Sequence, residues 1–564
     1  SDVITFVSTS TLNGNLDTGD GADDVTLGGL SDVTGNVNLG DGQDEITLGT
    51  SAAVAGDINA GAGDDSVVLG DSATVTGSVS GSTGNNSLDF SAYTEAVDVT
   101  LGSVTATGFS GTTASSSGTG SNPVNGGFSE IDSVSAGQVD VSQTDQLVGL
   151  DGVTTWDLDG TNTYTDELTS AVLSFDGIDR IVGGDEIDTV NISDQQTIDV
   201  ETGDGNDTIV FADGAELTGT VDAGDGMDVL DLGSYTTSVG ISLTNTGSVD
   251  GWGGTVGAST GDPVPLSGDF DNITNLLGGQ GSDSLAGLDA ESNWSVDVSS
   301  HQYEDVATGR VLTFAGIEDL LGGSGADVFT VTGVQTANLF GGDGADEFGF
   351  EDQATLSGDI DGQGGIDTLD LDEYSTNVEF TISGAGSTDG LAGSTSGMSD
   401  PIGGSFNNID SLISDGEGDS QFVGPDEANT WIINAADAGT LNGVAFSGMS
   451  NLTGGTADDT FTFENSGSLN GSIDGGTDST DGDTIIGDNN GNAFGITALN
   501  TGTLTDKTAG FSNVENLTGG TGDDSFTFAS DGILDGAIDG QDGNDTLIGD
   551  DDGNSFGITA ADGG

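Results

Sequence analysis

A 21-residue period limits what this chain can fold into more than any other feature. Residues 12–28 read LNGNLDTGDGADDVTLG, residues 33–49 read VTGNVNLGDGQDEITLG and residues 54–70 read VAGDINAGAGDDSVVLG. In that register Gly21, Gly42 and Gly63 superpose, as do Asp23, Asp44 and Asp65. Apolar columns keep the same step: Leu16, Val37, Ile58 and Val79 in one, Leu27, Leu48 and Leu69 in another. A single coil of this length cannot bury its apolar face, but stacked neighbours complete a continuous core. Short alternating runs such as DVTL, EITL and SVVL supply strands rich in β-branched residues. Helix signals are nearly absent. The expected fold is therefore all-β, a solenoid of stacked coils of 19–21 residues. The less regular Gly/Ser/Thr-rich stretches near 100–130, 245–268 and 384–404 read as irregular loops or flat strands.

A longer period overlies the coils. Tyr93, Tyr235 and Tyr374 end LDFSAY, LDLGSY and LDLDEY at steps of 142 and 139, and Trp156, Trp294 and Trp431 recur at 138 and 137. NLTGGTADDTFTF at 451 returns as NLTGGTGDDSFTF at 516, a step of 65. Phrases such as FDGIDRIVGG, FAGIEDLLGG and FSNVENLTGG introduce many of the Asp-Gly turns. These landmarks divide the chain into blocks at 1–149, 150–288 and 289–425, a shorter repeat at 426–490 and a truncated one at 491–564.

Composition matters here for what it excludes. The 564 residues carry 96 acids against three basic residues, Arg180, Arg310 and Lys507, for a formal net charge of −93. Nucleic acid is excluded as a partner, because phosphate contacts need Lys and Arg. Self-repulsion on this scale opposes compaction unless cations are bound or salt is high. With no Cys there is no disulfide framework and no thiolate metal site. No apolar run approaches the roughly 20 residues of a membrane-spanning helix. The opening SDVITFVSTS lacks the basic start of a signal peptide.

The turn that recurs within the coils is G-G-x-G-x-D-x-U-x, with U apolar. Clear copies are TGDGADDVT at 18–26, TGDGNDTIV at 202–210, LGGQGSDSL at 277–285, GGSGADVFT at 322–330 and GGDGADEFG at 341–349. Fourteen copies are recognisable, with key acids Asp23, Asp44, Asp65, Asp188, Asp207, Asp228, Asp283, Asp327, Asp346, Asp367, Asp459, Asp483, Asp524 and Asp545. Their glycines are Gly19, Gly21, Gly40, Gly42, Gly63, Gly203, Gly205, Gly224, Gly226, Gly279, Gly281, Gly323, Gly325, Gly342, Gly344, Gly365, Gly522 and Gly543. This nonapeptide resembles the repeat of the RTX, or haemolysin-type, calcium-binding family, and the resemblance covers most of the chain. It implies a parallel β-roll, secretion to the bacterial cell surface, and Ca2+. The spelling suits that ion: calcium takes six to eight oxygens at about 2.3–2.6 Å, glycines let the turn aim carbonyls inward, and one Asp per turn adds a carboxylate. The spacing departs from the family's two nonapeptides per 18-residue coil, since one occurs per coil here, so a single row of ions along one edge is expected. Asn85 and Asn86 in GSTGNNSLDF, Asp145 in SQTDQL without its glycines, and Asp419 in GEGDSQF mark decayed copies expected to bind weakly or not at all.

No enzyme is expected. His301, the single His, has no partner at zincin spacing and reads as an exposed loop residue. The rival reading is a β-helical polysaccharide lyase or hydrolase using two of the many carboxylates. Its candidate cations Arg180 and Arg310 do not repeat, and Asp319 stands at the repeat position of Arg180. The three recurring Trp residues read as core rather than sugar platforms. Uniform repeats without a privileged site favour a structural role in an adhesin stalk, surface layer or filament, with surface polysaccharide as a possible partner. SDVITF at the start and NSFGITAADGG at the end lack a recognisable polar cap, so either a longer stalk or head-to-tail self-assembly is expected.

Overall fold

The computed structural model describes residues 1–116, 122–137, 143–258, 262–397, 400–415, 420–477, 481–551 and 556–557. Among them every regular element is a strand, and the strands pair mainly in parallel between successive coils. The fold is a parallel β-solenoid. By internal contacts the chain forms two compact units, one of residues 1–284 with 312–317, the other of residues 285–311 with 318–564.

In the first unit the strand Val3–Phe6 pairs with Asp24–Leu27, which pairs with Glu45–Leu48 and then Ser66–Gly70. The register is Val3↔Asp24 and Asp24↔Glu45, so the 21-residue period is the pairing offset itself. Two further strands complete each coil, as in the stack Leu16–Asp17, Val37–Asp41 and Ile58–Ala62 and the stack Thr11–Leu12, Asp32–Val33 and Ala53–Val54. Alternation along Glu45–Leu48 buries Ile46 and Leu48 and leaves Glu45 outside. The apolar columns read from the sequence are thus inward columns, with Val37, Ile58 and Val79 at 0% exposure. In the second unit Ser292–Val296, Asp327–Val331, Glu347–Phe350 and Thr368–Leu371 stack in the same way.

Aromatic residues stack coil on coil inside the core. Trp294 lies over Phe329 at 5.4 Å and 14°, and Phe329 over Phe348 at 5.2 Å and 12°. Trp431 repeats this over Phe461 at 5.6 Å. Trp156, Trp294 and Trp431 are at most 1% exposed, so they are core. The Tyr landmarks have a parallel explanation: the hydroxyls of Tyr93, Tyr235 and Tyr374 donate to the carbonyls of Ala73, Ala215 and Ala354, sealing a buried turn one coil away.

The stretches read as irregular loops or flat strands hold antiparallel hairpins. Val97–Thr105 pairs with Gly108–Ser115, Val239–Thr246 with Trp252–Ala258, and Val378–Ala385 with Leu391–Gly397. The second strand of each, GFSGTTAS, WGGTVGA and LAGSTSG, is mostly Gly, Ser and Thr, so its alternation of apolar and polar residues is weak. His301 also departs from expectation. It begins the strand His301–Asp305 and is half-buried, not an exposed loop residue, because its strand pairs with Ser292–Val296; burial holds its imidazole below the usual range.

Truncating one stacked ring should be costly near its own coil. Trp431→Ala removes a side chain packed on Phe422, Phe446 and Phe461, and should lower stability by about 3–5 kcal/mol. In denaturant titration the midpoint should fall, with hydrogen-exchange protection lost first in the coils around 420–463.

Candidate metal sites

Each nonapeptide turn delivers its Asp to the start of a core strand, as in Asp188–Ile192 and Asp327–Val331. The side chain therefore points inward from a position pinned by sheet pairing. Of the fourteen sequence-predicted acids, all but Asp545 are at most 3% exposed; Asp545 is exposed.

These carboxylates form a ladder between coils. The backbone N–H of Asp23 donates to Oδ1 of Asp44 at 2.7 Å, and that of Asp44 to Oδ1 of Asp65 at 2.9 Å. The same bond joins Asp188 to Asp207 and Asp207 to Asp228, both at 2.8 Å. In the second unit it joins Asp327 to Asp346 at 2.8 Å, Asp346 to Asp367 at 3.0 Å, and Asp459 to Asp483 at 2.7 Å. In these pairs one oxygen of the later acid thus satisfies a buried N–H of the preceding coil, while Asp188 takes the Thr154 hydroxyl instead.

The other oxygen is the informative one. Oδ2 of Asp23, Asp44, Asp65, Asp207, Asp228, Asp327, Asp346, Asp367 and Asp524 is buried without a hydrogen-bond partner. A buried charge left in that state is costly unless a counter-charge reaches it. Basic side chains do not serve as a general counter-charge: Arg180 pairs with Glu201, and Lys507 with Asp488 at 2.7 Å. Two of the acids instead close on their own turn. Asp188 and Asp283 accept from Gly184 at 2.9 Å and Gly279 at 2.5 Å through Oδ2.

The glycines fit this packing. A Cβ on Gly341 would lie 2.3 Å from Oδ2 of Asp346 and 2.8 Å from the carbonyl of Gly362, so a carboxylate and a carbonyl oxygen face one point from two coils. Farther along the turn Gly63 has φ +148°, and its Cβ would come within 1.3 Å of the Gly42 carbonyl. That approach explains why the position must be glycine; the feature that suits a cation is the buried Oδ2 without a donor. Among the described residues no three Asp, Glu, His or Cys side chains gather at metal-binding distance. An ion here would draw one turn carboxylate and backbone carbonyls, an all-oxygen donor set that suits calcium. The residues present fit that group.

Two of the decayed copies keep the ladder. Asn86 accepts from the Asp65 N–H at 3.2 Å through its amide oxygen, so the bond survives and only the charge is gone. Asp145 accepts from Val97 at 2.6 Å and is 1% exposed, placed like an intact rung despite its missing glycines. Asp419 lies outside the described residues. Sequence reasoning missed a second set of rungs: Asp132, Asp179, Asp410 and Glu515 accept the N–H of Asn86, Asp145, Asp367 and Asp483. Their signal was present in FSEID, FDGID, FNNID and FSNVE, phrases whose repeated acid had been read only as a lead-in to the turn.

Burial raises many of the ladder carboxyls, whereas the N–H of Asp2 lowers Asp23. Burial pushes Asp188, Asp228 and Asp367 up to about 7 and Asp145, Asp327 and Asp346 to about 6.

No protein-family model and no curated protein matches the chain. Among solved structures it is similar to a hyperactive, Ca2+-dependent, β-helical antifreeze protein from an Antarctic bacterium. The identity is 14% over 75% of this chain and 83% of that one, with a TM-score of 0.11. A likeness that loose carries no argument about this chain.

Two outcomes follow from the ladder. In chelator, Asp207→Asn keeps the acceptor for Asp188 and removes a buried charge, so its denaturation midpoint should match or exceed that of the parent. Asp207→Ala strands the Asp188 N–H and should cost about 1–3 kcal/mol. The pH dependence has a definite sign. A carboxyl raised on folding holds its proton in the folded state while the unfolded chain has lost it. The calcium-free protein should therefore lose stability as pH rises from about 4 to about 7 and level off above. Denaturation midpoints across that range check it, and Asp228→Asn should flatten the slope.

Proposed function

We propose that this chain is a calcium-binding structural repeat protein that works outside the cell, in a bacterial surface stalk, layer or filament, and that it carries no enzymatic site. The observation that carries the reading is the ladder of buried carboxylates, each with one oxygen engaged by the preceding coil and, in most rungs, the other buried without a donor, in several turns beside a backbone carbonyl. Calcium supplies the missing positive charge and accepts both kinds of oxygen. A chain of net charge −93 needs many such ions to stay compact, and sites built from few carboxylates suit the millimolar calcium of extracellular modules. The resemblance of the nonapeptides to RTX repeats supports the same reading.

A structural role accounts for the rest of the molecule better than catalysis. Arg180 and Lys507 are held in ion pairs. His301 stands half-buried on a strand. None of these three residues lies within a nonapeptide turn, where calcium would assist a lyase. Incubation with common polysaccharides should give no unsaturated product, read by ultraviolet absorbance.

Folding should be coupled to calcium. At free calcium 100-fold above its dissociation constant each site adds about 2.7 kcal/mol, so thermal unfolding followed by circular dichroism at moderate salt should shift strongly upward from chelator to calcium. A curve indifferent to chelation would overturn the reading.

A further inference from the structure

The nonapeptide rows do not fade out; they end at defined places, and the chain treats those places alike. After the turn of Asp228 the following coil takes a shortcut. Asp222 pairs with Asp271 and Val229 with Asn275, so six residues, 223–228, lie opposite only three, 272–274. The end of the next row repeats this: Asp361 pairs with Asn407 and Thr368 with Ser411, setting 362–367 against 408–410. The first block does the same, with 81–86 against 130–132.

A shortcut of three residues cannot supply what a full turn supplies. Within a row the third glycine donates to the next coil's backbone, as Gly21 does to Asp41 at 2.6 Å and Gly42 to Ala62 at 2.7 Å. At the row ends a carboxylate from the inserted hairpin takes over. Gly226 donates to Oδ2 of Asp250 at 3.0 Å, and Gly365 lies 3.5 Å from Oδ2 of Asp389. Both acids sit in hairpin tips, SVDGW and STDGL. Each tip is held by a buried Asn with positive φ, Asn272 or Asn408. Their side-chain oxygens accept from Val249 at 2.8 Å and Thr388 at 2.7 Å, while their amides donate to Asp222 and Asp361.

The turns these tips cover contain Asp228 and Asp367. Both are 0% exposed, and Oδ2 of each is buried without a partner. Oδ1 of Asp389 is a further buried oxygen without one. Asp250 and Asp228 meet at one glycine: the Gly226 N–H reaches Asp250, and a Cβ on Gly226 would lie 3.0 Å from Oδ1 of Asp228. Bringing a second carboxylate to a buried one is unfavourable unless a cation lies between them.

The first block is the internal control. There the last turn has lost its acid to Asn86, and the hairpin tip between Thr105 and Gly108 carries no acid either. Glu130, at the place of Asn272 and Asn408, reaches over instead and accepts from Ser82 at 3.0 Å. Among the three long blocks the tip acid is present where the turn acid is present and absent where it is absent; the shorter row that ends at Asp483 keeps its turn acid under a hairpin tip, Leu499 and Asn500, that has none.

We propose that Asp250 and Asp389 are calcium ligands, each closing the last site of its row by replacing the oxygens of a coil that is not there. The inference rests on the calcium reading above and adds two ligands at the row ends that no nonapeptide spells.

Bound calcium per chain, measured by equilibrium dialysis with atomic emission, tests it. Asp250→Asn and Asp389→Asn keep an acceptor for the glycine N–H and remove only the charge. Each should bind one calcium fewer than the parent, or hold one at least tenfold more weakly; the double variant should lose two. Asp372→Asn, an exposed acid away from the turns, should lose none. Asp389→Glu keeps a carboxylate and should keep its ion, so a loss shared by the Asn and Glu variants would mark a purely structural role and overturn the assignment. Counts and affinities equal to the parent in both Asn variants would overturn this inference and leave the calcium reading standing. A parent chain that binds no calcium would overturn both.

Discussion

A carboxylate shared between successive coils is the interaction on which the rest of this structure depends. The turn that connects two core strands leaves an N–H at its base that sheet pairing does not reach, and the next coil's Asp satisfies it through Oδ1. That bond requires the Asp to be buried, and burial displaces anything larger than hydrogen at the first glycine of many turns. It also stacks carboxylates one coil apart, about 5 Å by strand spacing. A hydrogen bond alone does not require charge, as Asn86 shows. The retention of Asp in rung after rung is therefore a statement about the second oxygen.

That second oxygen links fold to function. Most rungs leave it buried and without a donor, so without a cation the ladder holds its acids only by keeping their protons, which is why burial lifts several carboxyls to about 6 or 7. Supplying calcium or supplying protons are alternative ways of removing the same repulsion. A solenoid distributes this coupling over many nearly equal sites, so loss of one rung is felt mainly by its neighbours.

The period, the core columns and the acids of the turns were legible in the sequence, because stacking copies one coil's chemistry onto the next and writes it as a repeat. Trp156, Trp294 and Trp431 could be assigned to the core for the same reason. What could not be read lies where the copy is interrupted. The hairpins at Val97–Ser115, Val239–Ala258 and Val378–Gly397 pair antiparallel within themselves, so no 21-residue echo marks them, and their second strands, mostly Gly, Ser and Thr, hide their alternation. His301 looked like a loop residue because the strand it begins belongs to such an insertion. The rungs from Asp132, Asp179 and Asp410 were visible as repeated letters, but their role depends on which N–H they meet.

The interruptions also explain why rows have ends at all. A stack of equal turns could continue indefinitely, but its last turn would hold a buried carboxylate and glycine N–H groups with nothing above them. A shortcut of three residues alone would leave that defect open. Inserting a hairpin at the same coil brings in a tip whose Asp supplies the missing acceptor, and a buried Asn with left-handed backbone fixes the tip over the turn. The hairpin and the shortcut are thus two halves of one device. In the three long blocks its acid follows the acid beneath it: where Asn86 has replaced the Asp, the tip has no carboxylate and Glu130 caps the serines of a turn that has lost its charge, whereas the shorter hairpin after Asp483 carries no acid at its tip. Insertions that look irregular in sequence are in this sense as strictly determined by the ladder as the repeats themselves.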